Sequence, residues 1–255
     1  MLTFVGAGLY DEKDITLKGF EAIKKADLVY AEFYTSKLMG VTTEEMEESY
    51  GKKIIILSRE DLEVNPEPIL SKARSSNVVL LTGGDPMIAT THIDLRLRAF
   101  DAGVDTRIVH GPSISSAAIG LSGLQNYRFG KSATIGSPYK GKSSEVPYDT
   151  VKLNSEEDLH TLLYMDLPLT IVQAVEILLL LEDTRREGLL KRRIVIGVAR
   201  VGSDTPTIKA DYIEEISKHD FGPPLHILII PAKLHFMESE ALVKFADAPM
   251  EIMRE

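Results

Sequence analysis

LTGGDPMIATTH, residues 81–92, is the stretch on which the fold turns. It begins inside the run Val78 to Thr82, where successive apolar residues match a strand buried on both faces of a parallel sheet. Gly83 and Gly84 remove side-chain bulk where that strand ends, and Pro86 fixes the exit of the turn. His92 then opens a helical pattern that places Ile93, Leu95, Leu97 and Phe100 before Ala102. Asp85 is thereby presented at the carboxyl end of a strand, where open parallel sheets bind their ligands. A turn or cap carboxylate explains the same residue equally well, because Asp suits such turns with or without a ligand.

Working outward, Leu2 to Gly6, Leu28 to Glu32, Lys53 to Leu57 and Arg107 to His110 repeat the strand pattern. The segment Thr16 to Ala26 reads as a helix, with Leu17, Phe20, Ala22 and Ile23 apolar and Lys24 and Lys25 favouring its carboxyl-terminal dipole. This alternation predicts βαβ units around a parallel sheet. After the hinge-like HGPS the pattern changes. Strands are expected at Ser132 to Gly136, Thr161 to Asp166, Arg193 to Val201, Thr207 to Ala210 and Leu225 to Pro231, with a helix from Thr170 to about Glu187. EILLLLED within that helix and the strand LHILIIP are expected in the core. The fold class is α/β, with an N-terminal parallel-sheet domain over residues 1–112 and a C-terminal mixed-sheet domain over residues 113–255. SPYKGKSSEVP, rich in small and polar residues, is a surface excursion of the second domain.

Composition narrows the function. Over 255 residues, 44% hydrophobic and 26% charged content is that of a folded globular protein. A formal net charge of −9 opposes the basic surface that neutralises phosphates, so no nucleic-acid partner is expected. The absence of cysteine excludes disulfides, thiolate nucleophiles and zinc–thiolate sites. The six histidines never form the i, i+4 pair that places two imidazoles on one metal, so no metal is expected. LTFVGAG at the start is no signal peptide, and the apolar runs are short of a membrane span, which makes a cytoplasmic protein without membrane attachment the expectation. Nucleophile elbow, Walker loop and kinase motifs are all missing.

The remaining candidates each have two readings. GAGLYDEKDIT, containing Leu9, is a glycine turn that admits a ligand or simply a tight turn; Asp11, Glu12 and Asp14 beside it disfavour a pyrophosphate. In HGPSISSAA, Ser113 is a helix cap, and the amides around Ile114 also suit a ligand carboxylate. His226 in LHILIIP is either a satisfied core histidine or a ligand contact at a strand end. Arg200 in VARVGS reads as an ion-pair partner and Lys131 as a solvated strand entry.

Taken together the motifs are more specific than any one of them. GAGLYDEKDIT, AEFYTS, LSREDLE, LTGGDPMIATTHIDLRLRA, HGPSISSA, YRFGKSATI, HTLLYMD, VARVGS, PTIKA and FGPPLHILIIPAKLHFMESEAL span nearly the whole chain. With them the sequence resembles the diphthine-synthase branch of the tetrapyrrole-methylase superfamily. GGDP indicates the superfamily; LYDEKDIT, AEFYTS and ATTHIDLR favour the branch.

The resemblance implies a homodimer of two-domain subunits with the active site in the cleft between the domains. It implies S-adenosylmethionine as methyl donor, S-adenosylhomocysteine as product, and no metal. The implied acceptor is the amino group of a 3-amino-3-carboxypropyl chain on a histidine of translation elongation factor 2, which is trimethylated in diphthamide biosynthesis. Matched by motif, the donor contacts fall on Leu9, Asp85, Ile88, Ser113, Ile114, Met165, Val201 and His226. No catalytic side chain or general base is assigned; Asp85, Tyr10 and Tyr34 are candidates for positioning a cation. Two other readings are a corrin or porphyrin C-methyltransferase of the same superfamily and a non-catalytic donor-binding module that docks on a translation factor. The segment after YMD, LPLTIVQAVEILLL, is shorter than the family's usual connection and lacks its basic and methionine-bearing stretch.

Overall fold

Strands β1 (Leu2–Gly6), β2 (Leu28–Glu32), β3 (Ile54–Leu57), β4 (Val78–Thr82) and β5 (Thr106–Val109) form one sheet in the order β3-β2-β4-β1-β5 in the computed structural model. All four pairings are parallel, as the alternation of strand and helix patterns predicts. The structure describes residues 1–167 and 169–254. By internal contacts the chain divides into two units, Met1–Ile114 and Ser115–Glu255.

Alternate strand residues serve opposite faces of the first sheet. Leu2, Phe4, Tyr30, Val78 and Leu80 pack with Leu62, Leu70 and Leu95 on one face, while Val5, Val29, Ala31, Val79 and Leu81 pack with Ile23, Met46 and Tyr50 on the other. Helices α1 (Leu17–Lys25), α2 (Thr43–Tyr50), α3 (Glu67–Ser75) and α4 (His92–Asp101), with the helical turn Glu60–Val64 that carries Leu62, supply these partners and connect the strands. α1 starts where the Thr16 side chain accepts from Gly19 N–H. α2 starts with a capping box of Thr42 and Glu45 and stops at Gly51, whose φ of 62° is left-handed.

The second unit has a mixed sheet in the order β6-β7-β10-β8-β9, from β6 (Ala133–Ile135), β7 (Thr161–Met165), β8 (Ile194–Ala199), β9 (Thr207–Tyr212) and β10 (His226–Ile230). Only β6 and β7 run parallel; the other pairs are antiparallel. α5 (Ile114–Ser122) leads into this unit, which also holds α6 (Val146–Glu156), α7 (Ile171–Arg185) and α8 (Phe236–Phe245). In α7 the helical period sorts the leucine run: Leu178 and Leu181 are buried in the core cluster, whereas Leu180 is exposed. Truncating fully buried Leu178 to Ala would cost about 2–5 kcal/mol.

The expected strands are all present, with ends shifted by one or two residues. α2 and α3 fill intervals between strands where the alternation predicts helices without fixing their bounds, whereas α6 and α8 have no counterpart among the helices read from the sequence. Pro168, in the connection after β7, lies outside the described residues.

Candidate functional site

Three glycines bring the ends of β1, β4 and β5 together. A Cβ at Gly6 would lie 2.4 Å from the Gly84 carbonyl oxygen and 2.6 Å from Gly111 N, and one at Gly111 would lie 2.7 Å from that same oxygen. Only hydrogen fits at these positions, so three backbone turns meet at the carboxyl edge of the sheet. Gly84 has φ +73° and nothing within 4 Å of where its Cβ would be, so the turn is open on that side. Its N–H donates to the Gly8 carbonyl at 2.6 Å, joining the β1 and β4 turns. The connections out of neighbouring β1 and β4 run in opposite directions across the sheet, the arrangement that creates a ligand crevice.

Within this junction Asp85 is 7% exposed and both its oxygens have partners. Oδ1 accepts from Met87 N–H at 2.9 Å, and Oδ2 accepts from His110 Nδ1–H at 2.8 Å. The turn role anticipated for Asp85 is thus realised. His110, beyond β5, was not singled out in the sequence; its side chain is largely exposed at 72%. Leu9 and Tyr10 donate their N–H groups to Asp14 Oδ2 at 3.0 and 2.7 Å. The turn amides that would cradle a pyrophosphate are therefore held by the chain's own carboxylate. Ile88 is 43% exposed beside this turn, and Ser113 immediately precedes α5, which begins at Ile114. Leu9, Asp85, Ile88, Ser113 and Ile114 therefore all follow the carboxyl ends of β1, β4 and β5.

The other three predicted contacts share one edge of the second sheet. Met165 ends β7 and His226 begins antiparallel β10, which pairs Leu228 with Leu163 and so brings His226 level with Met165. On its other side His226 pairs with Ala199 at the end of β8, and Val201 follows just beyond. The His226 ring is fully engaged: Nδ1 accepts from Ile171 N–H at 3.2 Å, and Nε2–H donates to the carbonyls of Gly222 and Pro223 at 3.1 and 3.2 Å. Burial holds this imidazole below the usual histidine range, so it stays neutral. Among the described residues Arg200 has no ion-pair partner of the expected kind. It donates to the Phe221 and Pro223 carbonyls and to Thr207 Oγ1, clamping the loop that His226 also holds.

Of the two tyrosines, Tyr10 lies against Gly40, where a Cβ would be 2.3 Å from its ring. Tyr34 already carries the Arg59 guanidinium over its ring at 5.1 Å. Among the described residues no group of acidic, histidine or cysteine side chains is arranged to hold a metal ion, and no helix is long and apolar enough to cross a membrane.

The chain thus joins a parallel sheet, with a glycine junction and a carboxylate turn at its carboxyl edge, to a mixed sheet. The model of the Tetrapyrrole (Corrin/Porphyrin) Methylases matches residues 1–216. A diphthine synthase of Methanosarcina acetivorans is 56% identical over 265 aligned residues, covering 100% of this chain and 99% of its own. That of Archaeoglobus fulgidus is 51% identical over 258, with the same shares. A crystal structure of diphthine synthase superposes with a TM-score of 0.92 at 50% identity, covering 99% of this chain and 98% of the other. The chain belongs to the tetrapyrrole methylases and, within them, to the diphthine synthase family, and is a methyltransferase.

Proposed function

We propose that the chain is a cytoplasmic, homodimeric N-methyltransferase that uses S-adenosylmethionine to trimethylate the amine of a 3-amino-3-carboxypropyl-histidine on translation elongation factor 2. The observation that carries the donor reading is the Gly6, Gly84 and Gly111 junction, where three backbone turns meet without side chains at the carboxyl edge of the sheet, with Asp85 fixed beside the open side of Gly84. Leu9, Asp85, Ile88, Ser113 and Ile114 in one group, and Met165, Val201 and His226 in the other, are the residues we assign to donor binding. Since both ring nitrogens of His226 are engaged, its part falls to the backbone.

Bound there, the donor supplies a methyl group already activated on a sulfonium. The protein's part is alignment, which can supply much of the rate by itself. Each methylation requires the acceptor nitrogen to give up one proton first, and partial desolvation lowers the pKa of an ammonium in the needed direction.

For the dimer, α4 presents Ile93, Leu97 and Phe100 at helical spacing, 55%, 59% and 80% exposed, an apolar stripe of the kind that subunits bury.

Mass spectrometry of elongation factor 2 carrying the amino-acid side chain, after incubation with enzyme and donor, should show a gain of three methyl groups. An unmodified factor combined with normal donor binding would favour a binding module instead, and an absorbance change with a precorrin substrate would favour a macrocycle methylase. Calorimetry of Asp85→Ala should show weakened donor binding; unchanged affinity removes Asp85 from the site.

A further inference from the structure

Three stretches of sequence that the glycine junction does not use meet beside it. Glu32 of AEFYTS ends β2, and His92 of ATTHIDLR opens α4; Glu32 Oε1 faces His92 Nε2 at 3.4 Å. Arg59 of LSREDLE stacks on Tyr34, and Glu63 accepts from Thr91 Oγ1 at 2.8 Å. Glu32 is 0% and His92 2% exposed. Thr82 pairs with Glu32 across β2 and β4, and the Phe4 ring lies 6.1 Å from the imidazole. Among the described residues, Glu32 Oε1 and His92 Nε2 make no hydrogen bond of good geometry, and the hydroxyls of Tyr34, Thr82 and Thr90 are likewise buried without a partner.

His92 also reaches the candidate donor turn, since its Nδ1–H donates to the Pro86 carbonyl at 2.9 Å. That bond fixes the tautomer. With the proton of a neutral imidazole on Nδ1, Nε2 carries a lone pair facing Glu32 Oε1, and a second proton, carried by the Glu32 carboxyl, would satisfy both atoms. Without it, a carboxylate would face a lone pair in a buried site. One way out is to move the N–H to Nε2 and satisfy Glu32, leaving the Pro86 carbonyl without its donor.

We propose that Glu32 and His92 are positioning residues for methyl transfer: the proton they share keeps His92 on the Pro86 carbonyl and so holds the Asp85–Pro86 turn in its donor-binding form. The proposal rests on that turn being the donor site. Burial, opposed by hydrogen bonds from Thr35 and by the charge of Arg59, raises the Glu32 carboxyl to about 7. Burial likewise lowers His92, opposed by the bond to Pro86 and by the charge of Glu63, so its imidazole does not hold the extra proton against alkali. Arg59, Glu63 and the Tyr34 hydroxyl are the other ionisable groups that bear on the pair.

The test compares S-adenosylmethionine affinity by calorimetry from pH 6.5 to 8.5 in the wild-type protein and in Glu32→Gln. Wild-type affinity should fall with rising pH, by up to about ten-fold per unit above the pair's midpoint. The Gln amide donates to Nε2 at every pH, so the variant should hold Asp85–Pro86 throughout and change by less than about two-fold. Contributions from outside the pair, the donor's own amino group included, are common to both proteins and cancel. Parallel pH profiles overturn the proposal. Nitrogen NMR of labelled histidine, recorded without donor, supplies a second readout: His92 should lose its Nδ1 proton as pH rises in the wild type and keep it in Glu32→Gln. An Nδ1 proton retained in both overturns the proposal even where donor binding is normal. Absence of donor binding in either protein at any pH, with the NMR switch intact, would instead refute the turn as donor site.

Discussion

The imidazole of His160 donates from Nε2 to Glu238 Oε1 at 3.0 Å, with both side chains fully buried and 78 residues apart in the chain. His160 Nδ1 accepts from Ala232 N–H, so the ring is neutral and fully paired. Glu238 accepts from Gln125 N–H on the same oxygen, and from Arg128 and His235 N–H on the other. Burial pushes its carboxyl up, but these donors outweigh that and hold it below the usual carboxylate range. Glu238 therefore ties the start of α8 to β7 and to the turn after α5. Glu238→Ala leaves the buried His160 Nε2–H and the amides of Gln125 and His235 without their acceptor, while Arg128 keeps Asp158, and should cost about 1–3 kcal/mol per orphaned donor in urea denaturation. A loss below about 1 kcal/mol would show the network to be dispensable.

Gly111→Ala forces a methyl group to within 2.8 Å of Gly6 Cα as well as against the Gly84 carbonyl. Backbone must shift, so the variant should lose about 1–3 kcal/mol and bind donor more weakly. Gly120→Ala is the contrast, because this glycine sits inside α5 with nothing within 4 Å of its added Cβ. It should gain about 0.5–1 kcal/mol from helix propensity. Equal effects of the two substitutions would contradict the crowding read from the junction.

Stability should decline in mild acid. Burial lowers the imidazoles of His92, His160 and His226 below the ordinary value of about 6.5. The unfolded chain then takes up protons at a pH where the folded chain resists them. Their contribution is present above pH ~6.5 and is lost as pH falls below it. Thermal unfolding at pH 7.5 and 5.5 measures this, and a midpoint that rises on acidification would show the sign to be wrong.

Phe100→Glu places a charge on the exposed stripe of α4. If that stripe is the subunit contact, light scattering should give a dimer for the wild type and a monomer for the variant, with the fold unchanged by circular dichroism. A variant that remains dimeric moves the contact elsewhere.

Much of the fold was legible locally. Runs such as Val78 to Thr82 and Ile227 to Ile230 declare themselves as strands because every residue in them is apolar or β-branched, and a buried strand needs nothing further. The bounds of α2 were missed because only Met46 and Tyr50 of its residues are buried, although the Thr42 and Glu45 capping spacing was there to be read. The glycines at 6, 84 and 111 marked turns, but their mutual contact could not be read from any one of them.

By itself, then, the sequence determined the strands, the alternation that makes the first sheet parallel, and the motif set that specifies the family. These depend on periodicity and on residue type at fixed short spacing. Only the tertiary structure decided that Asp85 pairs with His110, that Glu32 faces His92, and that Glu238 gathers His160 and Arg128. Such partners lie on different strands and helices, so the crossovers of the sheets choose them, and a buried polar atom binds whichever donor or acceptor the packing brings within about 3 Å.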